Sequence, residues 1–223
     1  MSENESSSGA EKKWGRVIYV CVTDAAFSGS DRSFIATVLN MHRRDPRIEV
    51  VLASRGSMAK KFEEAGITVH YAPMSMARRF AGLSYRLKYF ISFLIVVPAL
   101  IKIFRRRGAS IIHVNQTIEL QPLVAAWMCP GARLVVHNRG TVLRPKWFGR
   151  LITLGNMLMA DHMIIVSRAL AEVCHSQKEI DSGKLSIIHG GQGLDLTVFD
   201  PERFPPEKVQ AKREEIMGDA GGF

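Results

Sequence analysis

Val17-Ile-Tyr-Val-Cys-Val22 is an uninterrupted run of six apolar residues, and together with the turn and helix after it this run decides the fold. Its length and β-branching fit a strand buried on both faces, because a half-exposed strand would alternate apolar with polar. A loop rich in Gly, Ser and Asp covers residues 23–31. Phe34, Ile35, Val38, Leu39 and Met41 then recur at helical spacing as far as Arg44, where Asp45-Pro46 stops the helix. Strand, polar turn and helix together are the repeating unit of a parallel α/β sheet.

The same unit recurs downstream. Strands are expected at residues 48–53, 67–71, 111–114, 133–137, 162–166 and 185–188. Helices are expected at 58–65, 84–107, 119–128 and 146–160, with another after Ser167, which caps it. Gly66 and Gly108 close two of these helices, and Pro122 is expected to interrupt a third near its start. The fold class is therefore α/β, a Rossmann-like doubly wound parallel sheet of about seven strands. Continuous apolar strands need helices on both faces. Right-handed crossovers then place the C-terminal end of every strand on one edge. Residues 1–14, polar and rich in Ser and Glu, read as a disordered tail without the apolar core of a signal peptide. Residues 15–204 form the domain, and 205–223 read as the start of a linker.

With 47% hydrophobic and 23% charged residues the chain has ample material for a core, and its formal net charge of +9 is unevenly placed. Arg78, Arg79, Arg86, Lys88, Lys102, Arg105, Arg106 and Arg107 surround one apolar stretch. A basic fringe of this kind suits an anionic membrane surface better than nucleic acid. The bland reading is a solvated helix whose final arginines complement its dipole. On the first reading Arg86, Lys88, Lys102, Arg105, Arg106 and Arg107 are the membrane contacts. The thirteen uncharged residues at 89–101 fall short of the roughly 18–20 that cross a bilayer, and Pro98 interrupts them. A kinked helix, buried on one side and touching lipid on the other, is expected; a spanning helix is the alternative. Cys21, Cys129 and Cys174 are scattered in apolar contexts and read as reduced thiols. The expected location is cytoplasmic, peripheral at the inner face of the membrane. No His, Cys, Asp or Glu set has metal-ligand spacing, so neither a metal nor another cofactor is expected.

Ligands of open α/β sheets bind along the edge where strands end and helices begin. The residues after the strands are Ser28, Gly29 and Ser30, then Asn115, then His137, Asn138 and Arg139, then Ser167, and finally the loop with Gly193 and Asp195. All nine positions other than His137 are candidate cleft residues. Glycine lets a backbone approach an anion at a helix N-terminus. His137 is the candidate catalytic residue, since imidazole hydrogen-bonds a hydroxyl or phosphate and shuttles protons near neutral pH. A histidine satisfied by backbone is the competing reading, and His113, inside its strand, reads as packing. The chain has neither G-x-G-x-x-G nor G-x-x-x-x-G-K-[ST], which argues against a dinucleotide oxidoreductase and against an NTPase.

Three stretches resemble the N-terminal domain of glycosyltransferase family 4, the retaining sugar-nucleotide transferases built from two facing Rossmann-like domains (the GT-B fold). Ser28-Gly-Ser-Asp-Arg32 is similar to the family's G-G-x-E-R turn. Gly108-Ala-Ser-Ile-Ile-His-Val-Asn115 is similar to its strand of the form D-hydrophobic-hydrophobic-H. Val166-Ser167 together with Ile187-Ile-His-Gly-Gly-Gln-Gly-Leu-Asp195, Phe199 and Pro201 is similar to its V-S … N-G-V-D-x-x-x-F-x-P ending.

The resemblance implies a sugar transferase. Gly29 would face the donor diphosphate, and His137 the acceptor or the transferred sugar. The nucleotide-sugar would be a substrate, and the acceptor a glycan or a lipid-linked molecule. It further implies a C-terminal donor-binding domain that these 223 residues do not contain, so the chain alone is expected to be inactive or nearly so. A non-catalytic sugar- or lipid-binding α/β module, or another nucleotide-dependent α/β enzyme, stays open beside this reading.

Overall fold

The computed structural model describes residues 15–23, 28–75, 82–140, 145–189 and 204–217. The chain divides into two units, Met1–Gly190 and Gly191–Phe223. In the first unit the elements run β1 (Arg16–Cys21), α1 (Gly29–Arg44), β2 (Ile48–Leu52), α2 (Ser57–Glu64), β3 (Thr68–Tyr71), α3 (Leu83–Arg107) and β4 (Ala109–Val114). They continue with α4 (Leu120–Trp127), β5 (Arg133–Asn138), α5 (Lys146–Met159), β6 (His162–Ile165), α6 (Arg168–Cys174), α7 (Gln177–Ile180) and β7 (Leu185–Ile187). The second unit holds α8 (Pro206–Met217), a charged helix with Lys212 paired to Glu215.

The seven strands form one parallel sheet in the order β3-β2-β1-β4-β5-β6-β7. Alternate side chains of each strand enter two separate cores. Tyr19, Cys21, Val50 and Leu52 meet Phe34, Val38 and Phe62 of α1 and α2 on one face. Ile18, Val20, Ile112, Leu134 and Met163 meet Leu100, Phe104, Leu123 and Met157 of α3, α4 and α5 on the other. The order reverses direction after β3, and α3 carries the chain back across the sheet to β4. Right-handed crossovers therefore put α1–α2 and α3–α6 on opposite faces.

One expectation at a proline needs revision. Pro122 does not interrupt α4, because it occupies the third helical position, where a backbone N–H has no intrahelical partner to lose. Pro98 lies inside α3, which runs unbroken through it. Pro98 and Leu94, the residue whose carbonyl loses its partner, are both exposed, so water can take that bond. Loop residues 29–31 are also helical, since α1 starts at Gly29.

The C-terminal end of α3 is pinned. Gly108 closes it in the left-handed conformation, φ 61°, which a side chain would strain. Arg107 then donates to buried Glu49 of β2 through Nε at 2.8 Å and Nη2 at 2.6 Å. His70 sits 2.6 Å from the same carboxylate, which Arg16 also contacts. Burial alone would push Glu49 up; the hydrogen bonds from Arg107 and His70, with the Arg107 and Arg16 charges, outweigh it and hold the carboxyl at about 2.

Two experiments test this packing. Phe104→Ala removes a ring that is 1% exposed and should cost about 3–5 kcal/mol in urea unfolding. Leu94→Ala, ten residues earlier on a side chain 66% exposed, should stay within about 0.5 kcal/mol. Glu49 has its folded pKa below the free value, so its stabilisation is present above the ordinary glutamate range and is lost as pH falls through about 2. A Glu49→Gln chain should start weaker at pH 7 and lose less stability between pH 5 and pH 2 than its parent.

Candidate functional site

The first turn of α1 is built by its own side chains. Ser28 is the N-cap, and a capping box forms with Asp31. Asp31 Oδ2 accepts from Ser28 N at 3.1 Å and Ser28 Oγ at 2.7 Å, while Oδ1 accepts from Thr23 Oγ1 at 2.9 Å. A buried carboxylate therefore already offsets part of the helix dipole. The turn is open at Gly29, where an added Cβ would meet nothing within 4 Å.

Arg139 ties this helix to the sheet. Its Nε donates to Asn115 Oδ1 at 2.7 Å and its Nη1 to Ser33 Oγ at 2.7 Å. Asn115 in turn donates from Nδ2 to Cys21 Sγ at 3.2 Å and from its backbone N to Val20 O at 3.0 Å. One guanidinium thus links the ends of β1, β4 and β5 to α1. Gly140, at φ 113°, turns the backbone directly after it, a conformation that favours glycine. Burial lowers Arg139 to about 10, which leaves it charged at neutral pH. Among the described residues its Nη2 is buried without a partner.

Glu119, fully buried between the ends of β1 and β4, accepts from Val22 N at 3.2 Å through Oε1, and Oε2 has no partner among the described residues. Burial, reinforced by Asp31, pushes this carboxyl up to about 8 against the hydrogen bonds from Val22 and Asn115, so it is mostly protonated at pH 7.

Three rings lie in sequence beside this network, on the face that α1 covers. Tyr19 and His113 have centroids 4.8 Å apart, and His113 and His137 5.6 Å. Burial, helped by the Arg139 charge, lowers His113 to about 3 and His137 to about 2, so both are neutral. Among the described residues His113 Nε2 and both ring nitrogens of His137 are buried without partners. A neutral imidazole presents one donor and one acceptor, the complement of a hydroxyl. An anion arriving beside it would restore its basicity.

The other expected cleft residues have structural partners of their own. Asn115 is fully buried in the Arg139 link, and Asn138 is 2% exposed with Oδ1 accepting from Gly140 N at 3.2 Å. Ser167 Oγ accepts from Leu170 N at 3.2 Å and caps α6, while Val166 N donates to Asn138 O at 3.3 Å. Ser28, Gly29, Ser30, Asn115, His137, Asn138, Arg139 and Ser167 are therefore gathered at the one strand edge, and Gly193 and Asp195 lie outside the described residues. Of the basic set, Arg107 is taken by Glu49, and Arg105 Nη2 reaches Met128 O at 3.5 Å. Lys88, Lys102 and Arg106 are exposed; Arg86 belongs to α3, and its side chain lies outside the described set. A cavity of about 320 Å³ lies beside Arg105, Gly108 and Cys129, at the opposite end of the sheet. Among the described residues no group of three or more His, Cys, Asp or Glu is placed to hold a metal.

Ser33 and Glu119 are site residues that the sequence pattern does not single out. Glu119 leaves a signal: it is the only acid between Glu64 and Asp161, and it stands before a helix whose one polar side chain is Gln121. Ser33 leaves none, since a serine on an amphipathic helix reads as surface.

No curated protein matches the sequence. Solved structures do match the fold. One is Anabaena Alr3699/HepE in complex with UDP, at 14% identity and TM-score 0.61 over 88% of this chain and 50% of that one. A glycosyltransferase from Rickettsia africae ESF-5 gives 15% and 0.62 over 92% and 50%. UDP-GlcNAc 2-epimerase from Neisseria meningitidis bound to UDP-GlcNAc gives 11% and 0.54 over 90% and 53%. The chain spans about half the length of each, matching a Rossmann-like half of the GT-B architecture. The Glycosyltransferase Family 4 profile matches residues 27–196, from the turn before α1 past the end of β7, and the chain belongs to that family.

Proposed function

We propose that this domain is the acceptor-side half of a glycosyltransferase that moves a sugar from a nucleotide-sugar donor to an acceptor hydroxyl. The observation that carries the reading is His137, neutral, its ring nitrogens unpartnered, on the same strand end as the Arg139 link to α1. Family membership and neighbours whose structures hold UDP or UDP-sugars support a nucleotide-sugar donor. In this reading Arg139 supplies positive potential at the edge where the leaving diphosphate develops charge. Asp31 offsets the helix dipole, so the Gly29 turn gives the diphosphate shape more than charge. The remaining cations come from a second Rossmann-like domain, in keeping with the half-length match to the neighbours. Closure of two domains would exclude water, which competes as acceptor. Retention of the anomeric configuration is proposed from the family resemblance. A cytoplasmic setting accords with Cys21, Cys129 and Cys174 as free thiols.

His137→Ala, assayed in the chain joined to a donor-binding domain, should lower kcat by about a hundredfold or more with the unfolding midpoint kept or raised. It removes a buried imidazole without partners, so a merely structural histidine would leave kcat intact. The chain by itself should transfer less than a hundredth as much sugar as the joined protein; equal transfer by both would overturn the half-site reading.

A further inference from the structure

Charge is segregated in this domain in a way the site does not explain. Between Glu64 and Asp161 the chain has thirteen Lys and Arg and one acid, Glu119, which is fully buried. Among the described residues α3, α4 and α5 consequently supply no carboxylate of their own, and Glu179 of α7 is paired to Arg150 of α5.

That surface is also apolar where water should meet it. On α3, Leu87 is 59% exposed, Phe90 65%, Leu94 66% and Ile95 63%. On α5, Trp147 is 69% exposed, Leu151 59%, Leu154 43% and Leu158 73%. The α5 residues succeed one another at intervals of four, three and four, which aligns them as a single stripe. Both helices belong to one layer: Val96 and Leu100 of α3 share a core cluster with Met157 of α5, and α4 contacts both. Soluble surfaces rarely expose two apolar helix stripes in one layer without a use.

From Leu87 to Arg107 α3 is long and apolar enough to cross a bilayer, with a mean hydropathy of 2.0. Its second half is committed elsewhere. Val96, Val97, Leu100 and Phe104 are buried under the sheet, and Arg107 is fastened to Glu49. Extracting the helix would open the core, whereas laying it on a surface leaves every one of these contacts in place. Exposed Lys88, Lys102, Arg106 and Lys146 border the apolar residues and match anionic head groups.

We propose that the joint outer face of α3 and α5 docks on an anionic lipid bilayer, with the exposed side chains of both helices entering the head-group region and the flanking cations pairing with lipid phosphate. The basic fringe of α3 is one component, and the α5 stripe is the second, which fixes the orientation of the domain. α3 comes after β3 and α5 after β5, so both helices start at the strand edge that carries His137 and run away from it. Leu87 and Trp147 are therefore the parts of the face nearest the site. A lipid-carried acceptor would reach the edge directly, a consequence that rests on the transferase reading, whereas docking itself does not.

The test uses the full chain and vesicles of phosphatidylcholine, alone or mixed with phosphatidylglycerol. The chain should sediment with the mixed vesicles at least tenfold more tightly than with the neutral ones, with tryptophan emission moving to shorter wavelength in the parent and less so in Trp147→Phe. Leu158→Asp, on α5 alone, should weaken binding at least tenfold, and Lys88→Ala and Lys102→Ala should each weaken it about fivefold. These positions are exposed, and unchanged circular dichroism and unfolding midpoints will show that the variants fold. Equal affinity for neutral and mixed vesicles, or undiminished binding by Leu158→Asp, overturns the proposal. So does a parent chain that ignores vesicles and forms a dimer that Leu158→Asp dissociates, because the face would then belong to a second copy. None of these readouts requires sugar transfer, so failure of the transferase reading and failure of docking are separable.

Discussion

A parallel sheet hydrogen-bonded along its whole length leaves its polar turns no choice of side. Each strand of this domain runs the same way, so each must be followed by a crossover, and each crossover starts from the same edge. Ser33, Asn115 and Arg139, separated by up to 106 positions in sequence, meet within hydrogen-bond distance for that reason. The family assignment and the site both depend on this constraint, because a ligand edge exists only where the turns are collected.

The interior of that edge is costly as it stands. Unpartnered buried polar atoms each cost about 1–3 kcal/mol, and His113, His137, Arg139 and Glu119 all carry one or more. The protein reduces the cost through protonation state: both histidines lose their charge and Glu119 keeps its proton, leaving Arg139 as the residue of the four held charged. A fold under selection for stability alone would fill such a cluster with apolar side chains. Its retention beside the strand ends is the pattern of a site arranged for a ligand that brings hydroxyls or phosphates. The same histidines would then gain basicity when an anion arrives, which links binding to proton transfer.

How much of this is legible in the sequence depends on whether a signal is local. The strands are legible, because runs such as Ile48-Glu-Val-Val-Leu and Arg133-Leu-Val-Val-His are short, β-branched and bounded by turns. Their expected limits differ from the observed ones by one or two residues, the scale on which helix and strand ends fray. His137 and Arg139 are legible as edge residues through their position after a strand. Asn115 is placed at the right edge but for an incomplete reason: the pattern makes it a cleft residue, and its side chain is occupied in holding Arg139. No one-dimensional pattern distinguishes a polar residue that faces ligand from one that positions its neighbour. The same limit applies to Arg107, whose carboxylate partner lies 58 positions earlier.

The helix α3 illustrates a further limit of composition. Hydropathy sums the tendency to leave water and is silent on what replaces it. Val97 and Leu94 are both strongly apolar in that sum, yet the first is packed in the core with β1 and β4 while the second stands in solvent. A core helix should be apolar on one face and charged on the other, and a spanning helix apolar all round. α3 is neither: core-facing in its second half, apolar toward solvent in its first, and free of acids throughout. Such a pattern is costly for a helix whose outer face meets only water. It becomes favourable when the outer face has a low-dielectric, anionic neighbour, and the acid-free stripe on α5 imposes the same requirement from an independent stretch of sequence.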